Sequence, residues 1–508
     1  MSSTPHIDLT DIRDAQVAVI VSVAWAGRTW SIGNIEVVVG TERHILPGLL
    51  EVPEITDAID LSGGGADAVS VSLSLALPAE DIASLVAAGF DLIDAQAEVS
   101  LVWHRGGVAL HSWAARHVVA DGDLRAGHYG APDKPAGWIA ATVEDSPYVR
   151  EVPLVAQSAE VSASTWSGSP DMGARYPLVF GRIGPLYGNQ EGYPQAPVVE
   201  EAAGVPITVL VSSGYCVGTQ VYLLASDGTG DTFPIAYRAD GLGQVCAVVD
   251  LTAYGGAMTL TGSFQSLWLA GQPALCPFDS VDATAVHLAA YLLALGGADL
   301  DLPEWIRIGC ALRISVAGYT DDAKARAWEP ARDLIAGLPI GVHRGDCGWA
   351  PVLLDPHGAR DRVVARVREG DCWRRASQWQ TEEGTARVAR VEVSYVQVAV
   401  RVGAGAAFDG PRPHAWVRHL PRPSEASVSL SWAIQSAAAH HATAWLARSQ
   451  ALGWRVSAWQ VAPCHALVRA GEWVELIETS GATRYALVMR RTLSGGIWDY
   501  ALAVPGGT

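Results

Sequence analysis

Seven cysteines, at positions 216, 246, 276, 310, 347, 372 and 464, are the first candidates for metal binding or nucleophilic chemistry, and no two are closer than 25 residues. No CxxC pair occurs, so the spacing of a zinc or iron–sulfur site is absent. An odd, dispersed set reads as reduced, buried thiols made in a cytoplasm. Cys464-His465 sets a thiol beside an imidazole. Chain neighbours cannot orient each other as a dyad, and no nucleophile signature surrounds that cysteine. His440-His441 is the one histidine pair. On a helix the two point about 100° apart and cannot chelate one ion together, so His441 is expected in a core or capping role. Asp227 and Asp231 lack the spacing and distal glutamate of a calcium loop and read as a turn. Asp321-Asp322 and Glu382-Glu383 read as a helix start and a turn. Gly63-Gly64-Gly65 reads as a loop between strands. The sequence holds no GxSxG, Walker, HExxH or helix-opening GxGxxG pattern. No catalytic, metal-binding or cofactor-binding residues are therefore assigned, binding residues stay unassigned, no cofactor is expected, and the chain is read as a non-enzyme. The 19 tryptophans sit singly on apparent strands and read as core, with sugar stacking or subunit contact as the other use.

The elements that would carry these residues are mostly strands. Of 508 residues, 49% are hydrophobic and 17% charged, against about 25% charged in ordinary soluble chains. Gly and Pro number 52 and 28, too many for a mainly helical chain. That composition excludes disorder and coiled coil, and so little surface charge suits a chain that buries surface against partners. The net charge of −18 argues against nonspecific duplex DNA binding. Between Arg360 and Arg418 eleven arginines stand against seven carboxylates, read as solvated strand faces, with a surface docking against an acidic neighbour as the other use. Asp8, Asp11 and Asp14 stand where a secretion signal would be basic. The apolar stretch from Val286 to Leu295 is half the length of a membrane span. A soluble chain that is not exported by the usual route is expected.

Strands are predicted at Val17–Ala24, Trp30–Val39, Val69–Leu77, Ala97–His104, Val108–Val119 and Trp138–Glu144. A short helix follows Pro78 and stops at Gly89, and Asp121-Gly122-Asp123 is read as a turn. A Pro/Gly/Ser/Tyr-rich stretch then leads to strands at Ile207–Val211, Gln220–Leu224, Val245–Leu251 and Met258–Phe264. Helices are predicted over 279–295 and 322–337, with Leu312–Val316 as a strand between them. The parity change at Tyr395/Val396 predicts a bulge. A Pro-rich stretch (Pro411, Pro413, Pro421, Pro423) precedes a helix over 431–449, whose buried face is read as Ile434, Ala438, His441, Ala442 and Trp445. Strands close the chain at Trp454–Val461, Glu472–Glu478, Arg484–Arg491 and Ile497–Val504. The fold class is mainly β and multidomain, divided as 1–150, 151–275, 276–380 and 381–508.

Several stretches together resemble the tail-tip hub proteins of siphophages and gene transfer agents, the lambda-like tip attachment family. The clearest is the helix from Ala437 to Arg448 followed by Ala466-Leu467-Val468-Arg469-Ala470-Gly471-Glu472-Trp473-Val474-Glu475-Leu476, close to the family's L-x-P-G-D-x-V-x-L, with Ala470-Gly471-Glu472 in place of Pro-Gly-Asp. Tyr176-Pro177-Leu178-Val179-Phe180-Gly181 is similar to the family's linker after its first domain. Glu98 to Trp103, Val119 to Gly122, Tyr129-Gly130 and Gly137 to Ala140 resemble its first β-domain.

The resemblance implies β-barrel hub domains at 1–150 and 381–508, an inserted β-module at 151–275 and a small α/β domain at 276–380. It implies a virion structural protein at the tail tip, assembled in the host cytoplasm and acting in channel closure and DNA passage. The partners it implies are a homotrimer, the hexameric distal tail ring, the tail tube, the tape-measure protein and a central fibre or tip protein, without sequence-specific nucleic acid binding or a membrane span. Family members often continue into fibre extensions whereas this chain stops at Thr508, so receptor binding is expected to be delegated. The alternatives are a carbohydrate-binding host-recognition protein, which would set Trp and Asp side by side in one exposed groove, most plausibly in 151–275, and a cell-wall hydrolase. The 431–449 helix is expected to clamp the C-terminal barrel, with Trp445→Ala costing about 3–5 kcal/mol.

Overall fold

The computed structural model describes residues 15–147, 160–183, 195–252, 264–271, 284–320, 328–381, 390–395, 400–401, 414–416, 425–430, 436–450 and 453–505, apart from breaks at 42, 60, 62–68, 93–94, 131–132, 167–168, 177, 214–218, 226–229, 241–244, 267–268, 317, 346, 371–372, 463–466 and 495–496. The fold is mainly β. The chain forms two compact units, each built from interleaved segments. The first holds Met1–Val149, Ile340–Arg387 and Leu452–Thr508, and the second Arg150–Pro339 and Val388–Ala451. Among the described residues no helix is long and apolar enough to cross a membrane.

The first unit opens with β1 (Gln16–Trp25), β2 (Arg28–Gly33), β3 (Val37–Val39), β4 (Arg43–Pro47), β5 (Ile55–Ala58) and β6 (Val69–Ala76). Helix α1 (Ala79–Ala87) follows, then β7 (Gln96–Arg105), β8 (Val108–Ala109), β9 (His117–Tyr129) and β10 (Trp138–Asp145). In β6 every second residue from Val69 is buried and the serines between face outward, as its alternation demands. Antiparallel pairing runs β2–β1–β7–β9–β10–β6. The ring closes through the segment after β4: the Gly48 and Leu49 amides bond Gly33, and the Leu50 amide bonds Ser74. The result is a barrel of six strands.

A second barrel comes from distant parts of the chain. Val363–Arg368 pairs in parallel with Trp473–Ile477, which leads by antiparallel pairing through Thr483–Ser494 and Ile497–Pro505 to Trp454–Val461. Trp373–Arg375 then pairs with Trp454–Val461, so the chain from Val363 to Arg375 closes the circle. β5 joins the barrels, pairing with β6 at Ile55↔Val71 and with Thr483–Ser494 from Ala58↔Arg490 to Ile55↔Leu493. The expected tryptophan core is present here: Trp25, Trp103, Trp373, Trp459, Trp473 and Trp498 are sealed from solvent.

The second unit contains a β-sandwich. One sheet orders Gln195–Ala196, Phe264–Ser266, Gln220–Ala225 and Gly230–Pro234. The other orders Val198–Ala202, Val205–Ser213, Val245–Asp250 and Ala236–Ala239. Val209, Val211, Val221, Leu223, Phe233 and Val249 fill the space between them. On its other side the second sheet packs Leu210 and Val248 against Val161, Trp166 and Tyr176. The helical part holds α2 (Ala285–Leu295), α3 (Leu302–Leu312), α4 (Trp328–Ile335) and α5 (Ser436–Gln450).

Several expectations need correction. Asp121-Gly122-Asp123 is no turn but lies inside β9, paired with β7 at Glu98↔Asp121 and Ala97↔Gly122. A Cβ on Gly122 would stand 2.1 Å from the Glu144 carbonyl oxygen, so the glycine marks close strand approach. Leu312–Val316 is not a strand. Leu312 ends α3, Arg313 caps it at φ 51°, and Ser315 forms only an isolated bridge to Thr284. The signal for α3 was present: Asp301 accepts from the Glu304 amide, with Pro303 in the first turn. α2 is capped by Thr284, and Leu295 is exposed at its end.

The helix expected to clamp the C-terminal barrel has its packing partners within the second unit. α5 belongs to the second unit and packs on Arg390–Tyr395 and His414–Trp416. Its buried face is Ala438, Ala439, Ala442, Thr443 and Leu446, while His441 is exposed and Trp445 half-buried under Arg448 at 4.8 Å. Stripes at 438/442/445 and 439/442/446 both satisfy helical spacing, and the strand beneath selects the smaller side chains. Trp445→Ala is therefore expected to cost about 0.5–1 kcal/mol, the size of an exposed cation–π contact, in a denaturation series. Ile434, the Tyr395/Val396 bulge, the four prolines, Met258 and the N-terminal aspartates fall outside the described residues.

Candidate functional site

Most residues singled out for chemistry do not converge. Cys464-His465, Asp227, Gly63-Gly64-Gly65, Asp321-Asp322, Glu382-Glu383 and cysteines 216, 276, 372 and 464 lie outside the described residues. His440 and His441 are both exposed on α5. Of the described thiols, Cys246 is buried and pushed up to about 12 by desolvation, which makes it inert. Cys310 and Cys347 are exposed, against the expectation of burial. Among the described residues no group of three His, Cys, Asp or Glu side chains is placed to hold a metal ion.

What the fold gathers instead is a buried polar seam between the two barrels of the first unit. Asp57 on β5 stands directly across from Arg491 on Thr483–Ser494, and their side chains form an ion pair at 3.1 Å, 3% and 1% exposed. Burial opposes the charge on Arg491, but the Asp57 carboxylate and Tyr500 outweigh it and raise its pKa. Arg491 Nη1 lies 3.1 Å from His117 Nε2, and Arg469 Nη2 lies 3.2 Å from His117 Nδ1. A neutral imidazole accepts at one nitrogen, so the ring bonds one guanidinium and touches the other. Arg469 also donates to the Arg344 carbonyl. Arg344 in turn lies 3.4 Å from Asp145, whose other oxygen accepts from Trp349 Nε1 at 3.0 Å. Asp57, His117 and Asp145 come from the N-terminal segment, Arg344 and Trp349 from the hairpin Ile340–Gly345/Gly348–Leu353, and Arg469 and Arg491 from the C-terminal segment. Each segment arrives with charges that the others help neutralise, with Glu472 of the C-terminal segment adding its own negative charge near Arg491.

A second cluster lies in the C-terminal barrel. Glu478 Oε1 accepts from Trp379 Nε1 at 2.8 Å and Arg484 Nε at 2.9 Å, with Arg375 at 3.2 Å. Burial would raise the Glu478 pKa, but the bonds from Trp379 and Arg484 and the charges of Arg484 and Arg375 hold it below the ordinary value. Such a group stabilises the fold fully above the unfolded carboxyl pKa of about 4.3 and loses that contribution as pH falls through its lower folded value. Glu478→Gln is thus expected to lower the melting temperature at pH 7, and the gap to the parent should narrow below about pH 4.3. Thermal melts across the acid range check this.

The outer face of the N-terminal barrel carries a groove of about 250 Å³. Its floor follows from register: Ser22 faces Ser31 and Glu98, Ala24 faces Thr29 and Gln96, and Glu98 faces Asp121. Small residues at the centre and longer ones around them make the surface concave. Trp113 forms the wall, with the guanidiniums of Arg43 and Arg116 at 4.5 and 4.7 Å from its ring. Arg116 pairs through two nitrogens with Glu98 and donates to the Trp113 carbonyl, fixing the wall in place. No reading of the sequence placed Trp113 in a groove, because the turn that carries it follows an expected continuous strand from Val108 to Val119. In the structure that stretch is β8, a short 3₁₀ turn at Trp113–Ala115 and the start of β9.

No family model matches the sequence, and no curated protein matches it. Among solved structures, the chain aligns with a tail protein from Neisseria meningitidis MC58 at 12% identity, covering 96% of both chains with a TM-score of 0.40. It aligns with the 43 kDa tail protein of prophage MuSo2 from Shewanella oneidensis at 8% identity, over 96% of this chain and 98% of that one, with a TM-score of 0.36. A chain of a native gene transfer agent virion aligns at 14% identity over 71% of this chain and 92% of its own, with a TM-score of 0.39.

Proposed function

We propose that this chain is a structural protein of a phage-type tail, acting as the tail-tip hub without catalytic activity. The observation that carries the reading is the pair of closed barrels welded into one unit by β5 and the Asp57–Arg491 pair. Three copies would supply six barrels, a number that fits beneath a sixfold distal tail ring and around a channel. In this reading the hub domains are the N-terminal barrel within 1–150, the small α/β domain of 276–380 and the C-terminal barrel, which the strands of 381–508 form together with Val363–Arg375, and 151–275 is an inserted module. The partners are two further copies of the chain, the distal tail ring, the tail tube and tape-measure protein, and a central fibre or tip protein. A low charged share leaves surface for such interfaces, and net negative charge lets DNA pass without sticking. The particle assembles in the host cytoplasm and the chain helps close and open the channel. A complementation test checks this reading: omitting the chain should leave tails that stop before the tip is built. Complete, infectious tails lacking the chain would refute it.

A further inference from the structure

We propose that the groove on the outer face of the N-terminal barrel is a binding site for a neutral saccharide. This inference does not rest on the hub reading, since a tail protein of any position, or a chain with no place in a tail, could carry such a site. The lining combines an indole with the planar and hydroxyl groups that bond vicinal hydroxyls: Gln96, Asp121, Ser22 and Thr29 beside Trp113, with Glu98 engaged by Arg116. Its volume of about 250 Å³ falls below the roughly 300–1,000 Å³ of pockets for drug-sized ligands, which suits a sugar unit or two.

Charge argues for a neutral ligand. Glu98 neutralises Arg116, one further carboxylate (Asp121) and one further guanidinium (Arg43) line the groove, and the chain as a whole carries −18. An acidic polymer or nucleic acid would need a cluster of uncompensated cations, and this lining offers a single such cation, Arg43. A protein segment would favour an apolar centre, whereas this floor is Ser22, Thr29 and Ala24. The wall is preorganised, because Arg116 is held by Glu98 and itself holds the Trp113 backbone. Arg43 is exposed, and among the described residues it has no carboxylate partner, so it is free to leave the indole and bond a hydroxyl. Trp113 thus meets in this barrel the Trp-beside-Asp criterion for saccharide recognition.

The test uses the full chain titrated calorimetrically with neutral oligosaccharides of glucose, galactose, mannose and N-acetylglucosamine, and with a uronate oligosaccharide and an acidic peptide as contrasts. At least one neutral oligosaccharide is expected to bind, and Trp113→Ala should weaken it about tenfold or more, equivalent to 1.4 kcal/mol. Ala24→Phe, which fills the floor from an exposed position, should do the same without lowering the melting temperature, and serves if Trp113→Ala fails to fold. Tyr237→Ala, an exposed aromatic on the sandwich of the second unit, should leave affinity unchanged. Absence of binding to every neutral probe at millimolar concentration, binding that survives Ala24→Phe, or binding of only the uronate or the peptide would overturn the proposal.

Discussion

Arg491→Leu is expected to destabilise the first unit by about 3–5 kcal/mol, the range for breaking a buried ion pair by removing one partner. The loss comes from what remains: the Asp57 carboxyl, 3% exposed, would have no cation across the strand pair. His117 would also lose its neighbour at Nε2. The pair lies in the register that joins β5 to Thr483–Ser494, so its loss weakens the join between the barrels before either barrel core. The double replacement Asp57→Leu with Arg491→Leu should recover much of the loss, because exchange of a buried pair for apolar side chains is often neutral. Denaturation of the parent, both single variants and the double variant gives the coupling energy directly. A single-variant cost below about 1 kcal/mol, the size of an exposed pair, would contradict the structural role given to the seam.

Trp473→Ala should cost about as much, roughly 3–5 kcal/mol, by a different mechanism. Trp473 is 1% exposed and packs with Ile59, Leu61, Val352, Leu354, Trp454, Leu487 and Ala503, a core drawn from all three segments of the first unit. Its ring centroid lies 6.1 Å from that of Trp454 and 5.3 Å from the Arg362 guanidinium. Removing the indole leaves a cavity that three chain segments must close together, so relaxation is small. Trp473→Phe should retain most of the stability. A melting curve for Trp473→Ala that overlays the parent would show that this core is looser than its burial implies.

The strands were the most legible part of the molecule, because alternation is local. Trp454–Val461 and Val69–Ala76 follow from their own residues. The barrels were harder, since closure depends on pairing between Val363–Arg375 and strands a hundred residues later, and no local pattern encodes that distance. The cut into 1–150, 151–275, 276–380 and 381–508 follows composition along the chain, whereas the units interleave at Pro339/Ile340, Arg387/Val388 and Ala451/Leu452. The seam was hidden for a related reason. Asp57, His117, Asp145, Arg344, Arg469 and Arg491 are single charged or polar residues in apolar strands or turns, ordinary until the fold brings them together. One signal was available: Arg490-Arg491 inside an apolar strand must turn one arginine inward, and the bulge between Val488 and Arg490 selects Arg491. Trp113 was legible only as one of 19 tryptophans.

The measurement that bears most directly on the hub reading is a three-dimensional reconstruction of tails assembled with this chain, resolved well enough to recognise β-barrels. The expected result is three copies at the tail tip, each contributing its two linked barrels to one ring of six around the channel. Density for the chain elsewhere in the particle, a copy number other than three at the tip, or tails that contain no copy of it would contradict the account.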